Sequence, residues 1–139
     1  HIDRFEGDGF TREERKMIDE MRKILDLPDL SVCATCVRVP VFVGHAMSVN
    51  AEFEKAISLE AAQAALDEFP VIDFRRTADD YPVAADAAGH DDVFVGRLRK
   101  DPSTDNGFAF WVVADNLRKG AATNAVQIAE TLLDSGHFG

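Results

Sequence analysis

Hydrophobic residues recur at Met17, Ile18, Met21, Ile24 and Leu25, the three-and-four spacing of one helical face. Thr11 followed by Glu14 has capping-box spacing and Pro28 closes the run, so the pattern predicts an amphipathic helix over 12–26. The other side of that helix carries Glu13, Lys16, Glu20 and Lys23, at intervals that suit ordinary surface ion pairs. Residues 31–43 are rich in Val, Cys, Thr and Phe and predict a strand, which Pro40 confines to an edge, a bulge or an end. Beyond a turn near Pro40 to Gly44, Met47, Val49, Ala51 and Phe53 alternate with polar neighbours, the pattern of a half-buried strand. His45 falls on its apolar side.

Ser58 caps a short Ala-rich helix over 59–68 that stops before Pro70, and Val71 to Phe74 predicts a brief strand. Residues 75–91 read as a long surface loop with Tyr81-Pro82 as its anchor. Two further strands, 93–99 and 108–114, are joined by the turn-forming DPSTDNG. Asp115 or Asn116 then caps a last helix from 117 to about 134, with Ala121, Ala125, Ile128, Ala129, Leu132 and Leu133 on its apolar side.

Composition narrows the class. The 139 residues are 46% hydrophobic, enough for one domain with a real core. A formal net charge of −10 argues against nucleic acid or an anionic membrane surface as a general partner, because both select basic surfaces. No apolar run approaches the roughly 18–20 residues of a membrane span, and no signal peptide opens the chain, so a cytoplasmic protein is expected. The opening HIDRFEGDGFT, with His1 in place of Met, reads as the interior of a longer polypeptide. Cys33 and Cys36 form a lone CxxC without a second pair or thioredoxin-like surroundings, which predicts two reduced, mostly buried thiols.

Candidate chemistry concentrates in Cys36 to His45, CVRVPVFVGH. A guanidinium inside an apolar run calls for an anionic partner or ligand, and imidazole titrates near neutrality. Arg38 and His45 therefore suggest an anchoring cation and a base at the lip of a core. In one unbroken strand, side chains seven apart face opposite sides of the sheet, so the two can cooperate only if the chain bends at Pro40 to Gly44. The residues alone leave other readings open: His45 as a satisfied core histidine, Arg38 as half of a buried ion pair, and Glu13 with Lys16 as a solvated pair. The four histidines are scattered without metal-ligand spacing, so no metal is expected, and no GxGxxG, GxxxxGK[ST] or GxSxG motif is present.

In order along the chain, TREERKMIDEMRKIL, CATCVRVPVFVGH, SVNAEFEK, DDVFVGRLRKDPS and FWVVADNLRKGAATNAVQIAE resemble the C-terminal part of bacterial aspartate-semialdehyde dehydrogenases, from His1 to about Leu133. The resemblance implies an α+β fold: a largely antiparallel mixed sheet with helices on one face, like the C-terminal domain of glyceraldehyde-3-phosphate dehydrogenase-like enzymes. Residues 1–115 would be part of the substrate-binding and dimerisation domain, and 116–139 a helix that packs on an NADP-binding domain. The implied reaction is the NADP-dependent reductive dephosphorylation of L-4-aspartyl phosphate to aspartate semialdehyde, releasing phosphate, in a homodimer serving lysine, methionine, threonine and diaminopimelate synthesis. Carried onto this sequence, His45 is the acid/base, Arg38 binds the substrate carboxylate, Glu13 the ammonium and Lys16 the phosphate. Asn116 matches a position near the nicotinamide, although as a helix-start asparagine it reads equally as an N-cap. The family's glycine-rich loop and its cysteine, in a segment resembling GNPNCST, do not occur in these 139 residues, and neither Cys33 nor Cys36 takes that place. The chain alone is therefore expected to be inactive. The competing reading is a non-catalytic dimerisation or interaction module derived from the family.

Overall fold

The structure, a computed structural model, describes residues 1–137, which divide into two compact units, His1–Pro40 and the unit that begins at Val41. In the first unit the predicted helix forms as α1 (Arg12–Ile24). The capping box is made in both directions: the Thr11 N–H donates to Glu14 Oε2 at 2.8 Å, and the Glu14 N–H donates to Thr11 Oγ1 at 3.3 Å. Glu13 and Glu14 in the first turn and Arg22 and Lys23 in the last complement the helix dipole. Of the apolar stripe Ile18 is buried, while Ile24 and Leu25 stay open. Ahead of α1, Phe5 bridges Thr11, Arg15 pairs with Asp8, and the Arg15 guanidinium lies 4.3 Å from the centre of the Phe10 ring.

The strand predicted over 31–43 is not formed. Exposure still alternates residue by residue from Ser31 to Cys36, as in an extended chain, but no ladder partner lies alongside among the described residues. Propensity gave the local conformation, and a strand also needs a second chain segment to take its N–H and C=O groups. Cys36 N–H instead donates to Glu14 Oε1 at 2.8 Å. The expected burial fails for the same reason: Val37, Val39, Val41 and Phe42 are exposed, and so is Arg38. Cys33 is exposed and Cys36 half-buried, so only one thiol approaches the burial expected of both.

The second unit is built on a four-stranded sheet in the order β1-β4-β3-β2, from β1 (His45–Glu52), β2 (Ile72–Phe74), β3 (Val93–Lys100) and β4 (Gly107–Ala114). β1 and β3 both pair antiparallel to β4, and β2 joins β3 in parallel, giving the mixed, largely antiparallel α+β arrangement implied by the resemblance. The helix α2 (Leu59–Glu68) lies between β1 and β2 in the chain. Its cap is the predicted one: Ser58 Oγ accepts the Ala61 N–H at 3.1 Å.

Cross-strand partners share a sheet face. Val113 pairs with Ala46 and Phe94, and Trp111 with Ser48 and Gly96, which puts Phe94, Gly96, Trp111 and Val113 on one side. Phe94 and Val113 form the core there with Ala87. Ala87 belongs to α3 (Ala84–Ala87), a short helix inside the segment expected to be loop throughout. Asp86 accepts the Val83 N–H and so closes the first turn of that helix. Tyr81-Pro82 anchors the segment: Trp111 Nε1 donates to the Pro82 carbonyl at 3.0 Å, and Pro82 rests on Gly96 so closely that a Cβ at 96 would lie 2.8 Å from its Cδ. A glycine within a strand marks such close approach. β3 bulges between Gly96 and Arg99, with Arg97 in the left-handed region at φ 59°.

The last helix is broken. A wide turn, Arg118–Ala122, precedes α4 (Thr123–Asp134), and Ala121 leaves helical backbone at φ −142°, ψ −122°. Arg118 and Lys119 N–H groups both reach the Asp115 carbonyl, and Arg118 grips Asp91 through two bonds of 2.7 and 2.9 Å. Thr123 adds a third bond to Asp91, at 3.1 Å. These ties join the turn to the loop before β3. No residue of α4 is buried, and Val126, Ile128 and Leu133 are each more than half exposed.

Candidate active site

Glu13, Lys16 and Arg38 belong to the first unit, and His45 and Asn116 to the second. On α1, Lys16 Nζ lies 3.5 Å from Glu13 Oε1, the i,i+3 contact the helix spacing allows. Both remain solvent-accessible, so a zwitterionic or phosphorylated ligand could exchange their mutual contact for its own. Arg38 sits in the extended segment two residues after Cys36, whose N–H is held by Glu14. Glu14 is thus more than a cap. One carboxylate closes the start of α1 with one oxygen and ties down the Arg38-bearing segment with the other. Those two N–H donors, Thr11 first and then Cys36, hold its carboxyl below the ordinary range. The capping spacing pointed to the first role; nothing local in sequence marks the second.

Cys36 is a poor nucleophile. Its sulfur lies 3.5 Å from the Met17 sulfur, and burial, then Glu14 and Glu13, push its thiol pKa up. A reactive cysteine needs the opposite surroundings.

His45 opens β1, paired with Ala114, and is exposed. The expected turn occurs immediately before it. Gly44 adopts φ 101°, a left-handed conformation glycine reaches without cost, and a Cβ there would come within 3.3 Å of the Ala84 carbonyl and 3.4 Å of Ala84 Cβ. The Gly44 N–H donates to Asn116 Oδ1 at 3.1 Å. Asn116 is therefore not the cap of the last helix. Nor is Asp115: α4 begins after Ala122, which makes no side-chain cap bond, and Asp115 Oδ1 accepts from Leu117 N–H and Oδ2 from Gly89 N–H, both at 2.8 Å, ahead of the wide turn. The Gly89 donor foremost keeps this nearly buried carboxyl below its ordinary range. Sequence offered Asp115 and Asn116 as alternative caps; the fold uses neither for α4, binding Asp115 to Gly89 and Leu117 and Asn116 to Gly44.

Comparison with known proteins gives the family. The family model described as semialdehyde dehydrogenase, dimerisation domain, matches residues 1–119. Aspartate-semialdehyde dehydrogenase of Aquifex aeolicus is 53% identical over 139 residues, covering 98% of this chain and 41% of that protein. The Bacillus subtilis protein of the same name is 50% identical over 134 residues, covering 94% and 39%. A crystal structure of aspartate semialdehyde dehydrogenase II from Vibrio cholerae, complexed with ASA, superposes with a TM-score of 0.90 at 50% identity, over 96% of this chain and 40% of that one. The chain thus spans about two fifths of the length of the relatives it matches. The order of sequence blocks, the mixed sheet and these matches agree, and the chain belongs to the semialdehyde dehydrogenase family, its residues 1–119 corresponding to the dimerisation domain.

Proposed function

We propose that this chain supplies the acid/base and the substrate clamp of an NADP-dependent aspartate-semialdehyde dehydrogenase, which reductively dephosphorylates L-4-aspartyl phosphate in the cytoplasm as a homodimer. The observation that carries the reading is His45: an exposed imidazole at the first residue of a strand, set there by a left-handed glycine, in a chain of this family. In this role the imidazole accepts the proton of an attacking thiol, which the family supplies from a segment absent from these residues, and hands a proton back to the oxygen of the tetrahedral intermediate. Arg38 offers two parallel N–H groups to the substrate α-carboxylate, a match that its planar fork makes better than lysine. Glu13 takes the ammonium and Lys16 the phosphate.

For the cofactor, the residues present fit the nicotinamide end only. Asn116 spends its oxygen on Gly44 and keeps its Nδ2 donor without a partner among the described residues, which suits a carboxamide oxygen. The cofactor, when bound, supplies the hydride. No helix among the described residues is long and apolar enough to cross a membrane. The open apolar side of α4 fits the expectation that residues 116–139 pack on a nucleotide-binding domain.

The test is a chimera in which this chain replaces the matching part of the Vibrio cholerae relative. It should reduce aspartyl phosphate, lose about 10²- to 10⁴-fold in kcat on His45→Asn, and show a raised KM on Arg38→Leu. A chimera that dimerises normally but turns nothing over, or one indifferent to His45→Asn, would favour the non-catalytic module. The 139-residue chain by itself should be inactive with aspartate semialdehyde, NADP and phosphate.

A further inference from the structure

The Gly44–Asn116 contact reaches further than a turn. The β1–β4 ladder ends with His45 opposite Ala114, and the next N–H outward, that of Gly44, is taken by the side chain of Asn116, two residues beyond Ala114 on the other strand. Asn116 itself is held at its neighbour: Asp115 bonds to Gly89 on one side and Leu117 on the other. Ala84 of α3 also packs close, its carbonyl 3.3 Å from where a Cβ at Gly44 would lie. The peptide leading into His45 is thus fixed by a hydrogen bond from one direction and by close packing from another. The position of His45 Cα, and so the reach of its imidazole, follows from that peptide.

We infer that Asn116 is a positioning residue for His45, acting through the Gly44 N–H with its Oδ1, apart from any contact its Nδ2 makes with cofactor. The inference rests on the proposed acid/base role of His45. It separates two functions within one amide, because aspartate keeps the acceptor and lacks the donor.

The experiment compares Asn116→Leu with Asn116→Asp. In the 139-residue chain, hydrogen exchange of the Gly44 amide should accelerate about 2- to 10-fold in Asn116→Leu, the worth of one hydrogen bond. Asn116→Asp should keep wild-type exchange, and the strand amides of β3 and β4 should be unchanged in both. In the Vibrio cholerae chimera, Asn116→Leu should lower kcat about 10- to 100-fold, the order expected for a displaced catalytic group, with little change in KM for aspartyl phosphate. Asn116→Asp should recover most of that kcat while KM for the cofactor stays raised. Gly44→Ala, which strains the same peptide from the other side, should also lower kcat. The inference is overturned if Gly44 exchange is the same in Asn116→Leu as in wild type, or if Asn116→Asp is as slow as Asn116→Leu while His45→Asn is inactive. A chimera unaffected by His45→Asn sinks the acid/base reading, and this inference with it.

Discussion

Replacing Gly96 by alanine tests whether the Tyr81-Pro82 segment is clamped onto the sheet. The new Cβ would lie 2.8 Å from Pro82 Cδ and 3.4 Å from Tyr81 Cα, closer to the proline than a Cβ can sit. Neither neighbour yields easily, since one is a ring and the other main chain, and Pro82 is also held by the Trp111 indole at 3.0 Å. Overpacking of this kind costs about 1–3 kcal/mol. Alanine recovers about 0.5–1 kcal/mol of the glycine's backbone entropy. The net is a destabilisation of roughly 0.5–2 kcal/mol, which at a urea m-value of about 1–3 kcal/mol/M lowers the midpoint by roughly half a molar. Trp111 is the one tryptophan, so its emission reports on this site without further labelling. Lifting Pro82 should shift that emission to the red and move the indole N–H resonance. Trp111→Phe alone should cost about 1 kcal/mol through the lost hydrogen bond. If alanine at 96 already breaks that bond, the two substitutions should fall short of additivity by about 0.5–1 kcal/mol, read by circular dichroism. An unchanged emission maximum with an unchanged midpoint, or strictly additive costs, would show that the segment is not clamped.

Thr11→Ala removes the hydroxyl half of the capping box and should cost about 1 kcal/mol, seen as faster amide exchange in the first turn of α1 with the β3 and β4 amides unaffected. Acid should destabilise the chain through Glu14, Asp101 and Asp115. Each has a folded-state pKa below its ordinary value of 4.5 for Glu or 3.8 for Asp: Thr11 N–H chiefly lowers the first, the Ser103 hydroxyl the second and Gly89 N–H the third. Their stabilisation is complete above those ordinary values and disappears as pH falls through the lower folded ones, so urea midpoints should be level from pH 7 to 5 and drop below about pH 4. A level profile down to pH 2.5 would contradict the assigned bonds, and Asp115→Asn should lower the neutral plateau. Ile128→Asp, on the open side of α4, should change the stability of the chain by no more than about 0.5 kcal/mol. In the chimera it should weaken docking of α4, detected as a raised cofactor KM, and an unaltered KM would argue that this side faces solvent there too.

Local chemistry made much of the fold legible. The Thr11/Glu14 and Ser58 caps and the DPSTDNG turn depend on residues near one another in the chain and form as expected; of the alternating positions after His45 only Val49 and Ala51 are half-buried, Met47 and Phe53 being exposed, and the Tyr81-Pro82 anchor relies on the distant Trp111. The helix α3 escaped notice because four residues carry too little periodicity to separate from loop. The break at Ala121 leaves no mark in the apolar periodicity, and the Arg118–Asp91 contact beside it joins positions far apart in sequence.

The site divides in the same way. Sequence selected Arg38, His45, Glu13, Lys16 and Asn116 and expected a turn before His45, where Gly44 adopts φ 101°. What the sequence by itself determined was local: which segments prefer helix or extended chain, where they start, and which side chains carry reactive or charged groups. Whether the extended 31–43 run becomes a strand, where the last helix starts, and which N–H a carboxylate or amide finds across the chain were left to tertiary structure. Hydrogen-bond partners between distant segments exist only once the chain has folded, and propensity carries no information about them.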